Sequence, residues 1–493
     1  MSAPTAILGA VHLDPKSEVP LYRQLYENVR AAILDGRLLA GLRMPPSRTL
    51  AKELAIGRNT VVSAYEQLIA EGYLDSRVGS GTRVAAIPPD TLIETGPSEE
   101  REVAPDPRRR LSERGEAMLT VKRASPSFVK GHVLPFQHGM PSLELFPHQV
   151  WARLLARRAR QPQSRLFDYQ LGTGFPALRE AIAETYGLNP ANILCSNGSD
   201  ELLGLLAQTY IKPGDEGIFT EHGFLVYRIQ ILAAGGKPVV VKEDNERTDV
   251  DAILAAVTPK TRIVFLANPN NPTGAVYPES LLRALAGIAE RHGLVLFADE
   301  IYDAITYDGA AFTPMATLVD GTLCVSFGGL SKVYRACGWR VGWLVFTGDI
   351  ERAEDYRLAV EKLAALRLSS NVPTQWAVQT ALGGYQSIHE LTDEGGRLFE
   401  ARRAVIDAVT DSRHLDLVAP RGAMYAFPSV RTDTDFDDHA FAAELLEHHH
   451  ILVVPGTSFN IADPRHFRIT LLPEAHRLTR AIEAIDDQLD ELL

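Results

Sequence analysis

Cysteine is scarce in this 493-residue chain, and long apolar runs are absent. The three cysteines, Cys195, Cys324 and Cys337, are odd in number and far apart, so they predict no disulfide framework. No apolar run approaches the ~18 residues of a membrane-spanning helix, and the first residues lack the basic and then apolar regions of an export signal. We therefore expect a cytoplasmic protein without a membrane segment.

Charge is unevenly distributed along the chain. The net charge is −12, yet residues 1–84 contain ten Lys and Arg against eight Asp and Glu. The net positive charge of this segment, in a chain that is acidic as a whole, favours binding to the negatively charged phosphates of a nucleic acid. The hydrophobic fraction of 45% is sufficient for substantial cores, and the length predicts about three domain-sized units.

Two apolar runs in the middle of the chain end in polar residues. The run at 263–266 is followed by Asn271, and the run at 294–298 ends in Asp299 and Tyr302. Each run predicts a buried parallel strand. Their polar residues therefore lie at strand ends.

Lys332 follows these strands, and the surrounding residue types are those that a lysine bound to pyridoxal phosphate requires. The cofactor withdraws electrons only if its ring nitrogen stays protonated, so a carboxylate such as Asp299 has to face that nitrogen. Asn271 and Tyr302 supply hydrogen-bond donors for the ring oxygen. The dianionic phosphate favours a helix N-terminus, hydroxyl groups and a guanidinium. The candidates for these phosphate contacts are Ser199, Asp200, Ser331 and Arg340.

Several of these residues have simpler explanations when taken one at a time. Asp299 could be an ordinary strand-end carboxylate and Arg340 a surface ion-pair residue. Phe224 could cover the cofactor ring or fill the core. The triplet at 448–450 consists of three histidines, but it follows a helical run, where histidines favour the helix dipole. We therefore expect no metal site.

The motif set resembles fold-type I aminotransferases of class I/II over residues 133–493. This resemblance implies an α/β fold, with a large mixed and mainly parallel sheet domain and a small C-terminal α/β subdomain. It implies that Lys332 forms the internal aldimine and that Arg468 grips the substrate α-carboxylate. It also implies a homodimer in which Tyr169 reaches the cofactor phosphate of the partner, although Tyr169 could instead be a packing residue.

The amino-terminal segment has the pattern of three helices and a hairpin. Apolar residues at helical spacing between Pro20 and Gly36 predict the first helix. Ser47 is the predicted N-cap of the second helix, and Gly57 precedes the third. Two short helices joined through a glycine are typical of a helix-turn-helix, and residues 73–84 predict a two-stranded wing.

Polar residues begin the third helix, where a DNA-binding helix would meet a major groove. Arg58, Asn59 and Thr60 suit base edges and phosphates. The predicted DNA-backbone contacts are Arg48, Arg77 and Arg83. Residues 20–84 resemble the GntR-type winged helix, although Gly57 stands where that family usually has serine. A protein-contact module remains the alternative for this shape.

The order of the segments indicates the function. A winged helix at 1–84, a linker at 85–132 and an aminotransferase-like domain at 133–493 resemble the MocR/GabR regulators. Residues from about 194 to 270 look most like histidinol-phosphate aminotransferases, and those from Asn271 onward look like alanine aminotransferases. We therefore predict a transcription regulator that binds an operator and, through a pyridoxal-phosphate aldimine, an amine or amino acid. An active aminotransferase with an accessory DNA-binding domain is the alternative, whereas the intact Lys332 argues against an inert scaffold.

Overall fold

The structure is a computed structural model that describes residues 11, 13–14, 17, 19–77, 81–85, 112–119, 133–136, 146–160, 167–243, 248–382 and 388–493. Its contacts define two compact units, Met1–Arg110 and Leu111–Leu493. Within the described residues, no helix is both long and apolar enough to cross a membrane. The predicted domain boundaries at 84/85 and 132/133 stay predictions.

The first unit contains three helices and a hairpin. The helices are α1 (Leu21–Leu34), α2 (Ser47–Glu53) and α3 (Arg58–Ala70), and the antiparallel strands are β1 (Leu74–Arg77) and β2 (Gly81–Val84). All five elements contribute apolar side chains to one core, among them Leu25, Val29, Leu50, Val61, Leu68, Leu74 and Val84. The helix-turn-helix and the wing are thus present as predicted. Residues 79 and 80 of the wing tip lie outside the described residues.

The start of α3 agrees with the sequence prediction, and the start of α2 does not. Gly57 occupies the N-cap of α3 with extended backbone angles, φ −60° and ψ 139°, as expected. The prediction for Ser47 is wrong, because Pro46 is the N-cap of α2 and Ser47 is its first helical residue. Proline already has the φ that the extended cap position needs, so the helix begins directly after it.

The second unit begins with short elements that precede its main sheet. These are α4 (Glu113–Leu119), β3 (Leu134–Pro135), α5 (His148–Ala159) and α6 (Pro176–Tyr186). Helix α4 lies in the segment predicted as a linker, whose lack of apolar periodicity gave no sign of a helix. The three arginines at 108–110 lie outside the described residues.

A seven-stranded sheet forms the centre of this unit, in the order β4-β10-β9-β8-β7-β5-β6. Its strands are β4 (Ile193–Ser196), β5 (Glu216–Thr220), β6 (Lys237–Val241), β7 (Thr261–Ala267), β8 (Val295–Asp299), β9 (Leu323–Gly329) and β10 (Gly342–Gly348). Only β10 runs antiparallel to its neighbours, so the sheet is mixed and mainly parallel, as predicted. The carboxyl ends of β7 and β8 consequently lie side by side.

Helices cover both faces of this sheet. They are α7 (Ser199–Tyr210), α8 (Leu225–Ala233), α9 (Val250–Ala256), α10 (Glu279–His292), α11 (Glu354–Ala365) and α12 (Val372–Leu382). Two apolar clusters, one on each face, hold the layers together. Helix α4 packs against α8, which attaches part of the predicted linker to the large domain.

The carboxyl-terminal part forms a smaller α/β layer. Its helices are α13 (His389–Thr392), α14 (Arg397–Asp411), α15 (Asp438–His449) and α16 (Ala475–Leu492). Its strands are β11 (Leu415–Asp416), β12 (Tyr425–Ala426), β13 (Ser429–Val430), β14 (Ile451–Leu452), β15 (Val454–Pro455) and β16 (Phe467–Thr470). Strand β16 places Arg468 between the small layer and the sheet. The histidine triplet ends α15, where His449 Nε2 lies 3.2 Å from Gln488 Oε1.

Candidate active site

A cavity of about 360 Å³ opens at the carboxyl ends of β7 and β8. Asp299 is the last residue of β8, and Asn271 follows β7. The predicted site residues that line the cavity are Ser199, Asp200, Phe224, Asn271, Asp299, Tyr302, Ser331, Lys332, Arg340 and Arg468. Residues more than 250 positions apart in sequence therefore meet in one site.

Asp299 is held by two hydrogen bonds at the floor of the cavity. The Tyr227 hydroxyl donates to its Oδ2 at 2.8 Å, and the Ile301 N–H donates to its Oδ1 at 3.3 Å. Burial nevertheless raises the pKa of Asp299 from 3.8 to about 6, and the nearby Asp200 adds to this rise. A cationic group beside the carboxylate would relieve that cost, which is what a protonated ring nitrogen supplies.

Arg468 is buried, and aromatic rings flank its guanidinium. Its Nη1 donates to Asn271 Oδ1 at 3.0 Å, and its Cζ lies 4.5 Å from the Tyr425 ring centroid and 5.0 Å from that of Phe459. Burial lowers the pKa of Arg468. A buried guanidinium with a planar face is suited to receive a carboxylate in bidentate fashion.

A pair of tyrosines connects Arg468 with the lysine side of the cavity. The hydroxyl groups of Tyr302 and Tyr425 lie 2.8 Å apart. Lys332 Nζ lies 6.0 Å from the centre of the Tyr302 ring. Burial, together with Tyr425, raises the pKa of Tyr302 well above its ordinary value, so its hydroxyl keeps a proton to donate.

Arg340 lies against the start of α7. Its Nη2 stands 2.1 Å from the point where a Cβ on Gly198 would be, and Gly198 is the N-cap of α7 with φ +108°. The guanidinium also donates to the Cys337 carbonyl at 2.9 Å. A cation beside the positive end of a helix dipole is unfavourable unless an anion lies between them. The donor set here fits a phosphate group, with backbone N–H groups on one side and a guanidinium on the other.

Phe224 and Tyr169 differ in where the structure places them. Phe224 is the N-cap of α8, and its ring meets that of Tyr227 edge-on at 6.2 Å, beside the cavity. Tyr169 is not among the residues that line the cavity and is 73% exposed. Its predicted role across a dimer therefore depends on a second chain.

The predicted DNA contacts lie on the surface of the first unit. Arg48, Arg58, Asn59 and Arg83 are exposed, and Thr60 is partly exposed. The side chain of Arg77 lies outside the described part of the chain. Arg83 donates to the Gly41 carbonyl at 3.1 Å, so part of its guanidinium joins the wing to the segment between α1 and α2.

Two functional candidates were not predicted from the sequence. Tyr227 comes one helical turn after Phe224, and this spacing could have placed it beside the cavity. Tyr425 lies in the two-residue strand β12, whose pattern is too short to show which side chain faces the site. It pairs with Thr470 of β16, the strand that carries Arg468.

Two protein families match this chain. Aminotransferase class I and II matches residues 132–485, and the gntR family of bacterial regulatory proteins matches residues 21–84. The former match covers the sheet and the small layer, and the latter covers the winged helix.

Known aminotransferases resemble the second unit in sequence and structure. A glutamate-pyruvate aminotransferase of Haemophilus influenzae is 39% identical over 320 residues, which are 63% of this chain and 79% of that protein. An alanine aminotransferase of Mycobacterium bovis is 36% identical over 334 residues, 65% of this chain and 78% of that protein. A crystal structure of an aminotransferase from Escherichia coli superimposes with a TM-score of 0.70 at 36% identity, covering 73% of this chain and 91% of that one. The chain belongs to the class I and II aminotransferases, which depend on pyridoxal 5′-phosphate, and the GntR domain before it gives the domain order of MocR/GabR-type regulators.

Proposed function

We propose that this protein is a cytoplasmic transcription regulator whose second unit senses an amino acid or amine through pyridoxal phosphate. The observation that carries the proposal is the presence, in one chain, of a GntR winged helix and of a complete set of cofactor-binding residue types around a single cavity. A regulator without a ligand would have no need for that set.

The residues that line the cavity would bind the cofactor through their charges and hydrogen-bond donors. When bound, pyridoxal 5′-phosphate supplies a protonated ring that withdraws electrons from the amino-acid Cα. Asp299 holds the proton on the ring nitrogen, while Arg340 and the N-terminus of α7, with Ser199 and Ser331, bind the phosphate. Lys332 provides the amine that attaches the cofactor.

The effector is recognised at the other end of the cavity. Its carboxylate would bind the guanidinium of Arg468, and its amino group would lie beside Lys332 Nζ, the amine that would otherwise hold the cofactor. Asn271 Oδ1 accepts a hydrogen bond from Arg468, so its Nδ2 remains as a donor to the ring oxygen, together with the Tyr302 hydroxyl. Because Arg468 belongs to the small layer, ligand binding draws that layer over the cavity, and this closure changes the affinity for the operator.

The protein acts as a homodimer in this proposal. Exposed apolar side chains form a patch where residues 167–171 adjoin residues 365–368, since Arg367 Nη2 donates to the Gly172 carbonyl at 3.2 Å. Its members are Phe167, Tyr169, Leu171, Leu366 and Leu368, with exposed fractions of 57% to 84%. Exposed apolar patches of this kind mark protein interfaces. In a homodimer, we expect Tyr169 of one subunit to reach the cofactor phosphate bound by the other subunit.

Transamination is the second candidate function. It is favoured by the 39% identity with a glutamate-pyruvate aminotransferase and by the presence of both Lys332 and Arg468 in the cavity. In that case Lys332 Nζ would take the proton from the amino-acid Cα, and the amino group would pass by way of the cofactor to an acceptor keto acid while the first amino acid leaves as its keto acid.

One experiment separates the two functions. Purified full-length protein is mixed with a duplex from the region upstream of its own gene, and DNA binding is measured with and without L-alanine or L-glutamate. Release of pyruvate or 2-oxoglutarate is followed in the same samples. The keto acid that does not derive from the added amino acid is supplied as amino acceptor, 2-oxoglutarate with L-alanine or pyruvate with L-glutamate. A regulator shifts its DNA affinity with the amino acid and releases no keto acid over many minutes, whereas an enzyme releases it repeatedly as the acceptor takes up the amino group. Absence of DNA binding under all of these conditions would overturn the regulator proposal.

A further inference from the structure

Helix α5 presents a row of arginines to the surface. Arg153, Arg157 and Arg160, the last of which directly follows the helix, are all exposed. Their spacing of four and three residues places them on one face. Trp151 on another face is buried and anchors the helix in an apolar cluster. The arginine face is therefore fixed in position by packing behind it.

These arginines lack the acidic partners that accompany other exposed arginines of the same unit. Arg283, Arg352 and Arg403 each form an ion pair with an acidic residue three or four positions away in sequence. Within the described residues, no ion pair involves Arg153, Arg157 or Arg160. The sequence has no Asp or Glu from 145 to 167, although the chain as a whole carries a charge of −12. This face is thus a concentrated positive site in an acidic protein.

The space between the arginines is open. Ala152 and Ala156 alternate with them and leave a shallow groove of about 480 Å³. From Arg153 to Arg160 the helix rises ~10 Å. One DNA strand carries a phosphate every ~3.4 Å of axis, so a face of this length meets about three phosphates. The guanidinium fork matches phosphate oxygens in geometry as well as in charge.

We propose that the arginine face of α5 binds the phosphate backbone of DNA. The inference rests on the proposed DNA-binding function and assigns part of it to the aminotransferase-like unit. Contacts to phosphates carry no sequence information, so this face adds affinity and salt dependence without changing which operator is chosen.

The test compares two variants of equal charge in the full-length protein. The helix variant combines Arg153→Gln, Arg157→Gln and Arg160→Gln. The control variant combines Arg283→Gln, Arg352→Gln and Arg403→Gln, which also removes three positive charges but from paired arginines. Binding to a fluorescent 60-base-pair duplex is measured by anisotropy from about 50 to 200 mM salt, the range in which phosphate contacts change affinity strongly.

The helix variant should bind more weakly, with a log K against log salt slope about 2 to 3 less steep, because each phosphate contact contributes ~0.9. The control variant should match the wild type, and replacement of the three helix arginines by lysine should restore most of the slope. Equal slopes for wild type and helix variant, with DNA binding intact, overturn this inference and leave the proposed function standing. Equal losses in both variants show a general charge effect and also overturn it.

A measurement of oligomeric state tests the alternative that the arginine face of α5 contacts another protein chain. Helix-variant protein that differs from the wild type in its oligomeric state would show that α5 is a contact between protein chains, and the DNA assignment would then be wrong. Wild-type protein that binds no duplex at any salt concentration would instead refute the proposed function itself.

Discussion

Removal of one hydroxyl group tests how the cavity prepares Asp299 for the cofactor. In Tyr227→Phe, the ring that stacks on Phe265 at 4.9 Å is kept, but the donor to Asp299 Oδ2 is lost. Asp299 then retains only the longer bond from the Ile301 N–H, at 3.3 Å. Since burial already raises the pKa of Asp299 to about 6, the carboxylate becomes still harder to ionise.

The size of the effect follows from the hydrogen bond that is lost. A hydrogen bond to a charged group contributes about 1.5 to 3 kcal/mol, and 1.36 kcal/mol corresponds to one pKa unit. The pKa of Asp299 should therefore rise by a further ~1 to 2 units. Burial raises the pKa of Asp299 to about 6, and only the ionised carboxylate attracts a protonated ring nitrogen. We therefore expect the wild type to bind the cofactor weakly below pH 6 and with full affinity above it. In Tyr227→Phe, the pH at which cofactor affinity increases should be ~1 to 2 units higher than in the wild type. The affinity of the variant for the cofactor at pH 6.5 should therefore be ~10-fold lower.

Equilibrium binding of pyridoxal 5′-phosphate between about pH 5 and 8.5 measures this shift by absorbance. Tyr210→Phe is the matched control, because the Tyr210 hydroxyl is buried in the same core and has no hydrogen-bond partner within the described residues. The control should leave the pH profile unchanged. If the profiles of Tyr227→Phe and wild type superimpose, the hydroxyl does not support Asp299, and the role of this carboxylate has to be reconsidered.

Four further substitutions test the main assignments. Lys332→Ala should abolish the covalent label that borohydride traps, with circular dichroism unchanged; a persisting label would mean that another lysine holds the cofactor. Arg48→Ala or Arg58→Ala should weaken operator binding by ~1 to 3 kcal/mol at constant cofactor content, and unchanged anisotropy titrations would contradict the assignment of that arginine to a DNA contact. Arg468→Lys replaces a planar fork by a point charge, so stopped-flow spectra should show an amino-acid response reduced by orders of magnitude, with a normal spectrum before mixing. An unaffected response would exclude Arg468 as the carboxylate anchor.

The strand ends that position the site could be predicted because burial on both faces gives parallel strands a nearly continuous apolar pattern. Asp299 ends β8 as expected, and Asn271 follows β7 within a few residues. These two strand ends are adjacent in the sheet. A cofactor attached to a nearby lysine requires particular polar residue types there, such as a carboxylate for its ring nitrogen. Lys332 lines the same cavity as Asn271 and Asp299, and its role there stays a prediction.

Features that depend on short elements or on single caps were not predictable in this way. Tyr425 enters the site from a two-residue strand, which is shorter than one period of any pattern. Helix α4 is held by its packing against α8 rather than by its own periodicity. Ser47 was displaced from the cap by Pro46, because both residue types favour the start of a helix and only one can occupy the N-cap.

The link between Arg468 and Asn271 would let the two proposed functions, sensing and transamination, use much of the same site. Asn271 Oδ1 accepts a hydrogen bond from Arg468 Nη1, so a carboxylate that engages the guanidinium would compete with Asn271, which we propose as a donor to the ring oxygen. Under the proposed function, Tyr425 would transmit the same event to Tyr302 through the contact between their hydroxyl groups. Binding at one end of the cavity would therefore change the donors at the other end before any proton moves. The two proposed functions would differ only in whether Lys332 Nζ then transfers the proton from the amino-acid Cα. The keto-acid measurement detects that transfer, and the DNA measurement detects the binding event that precedes it.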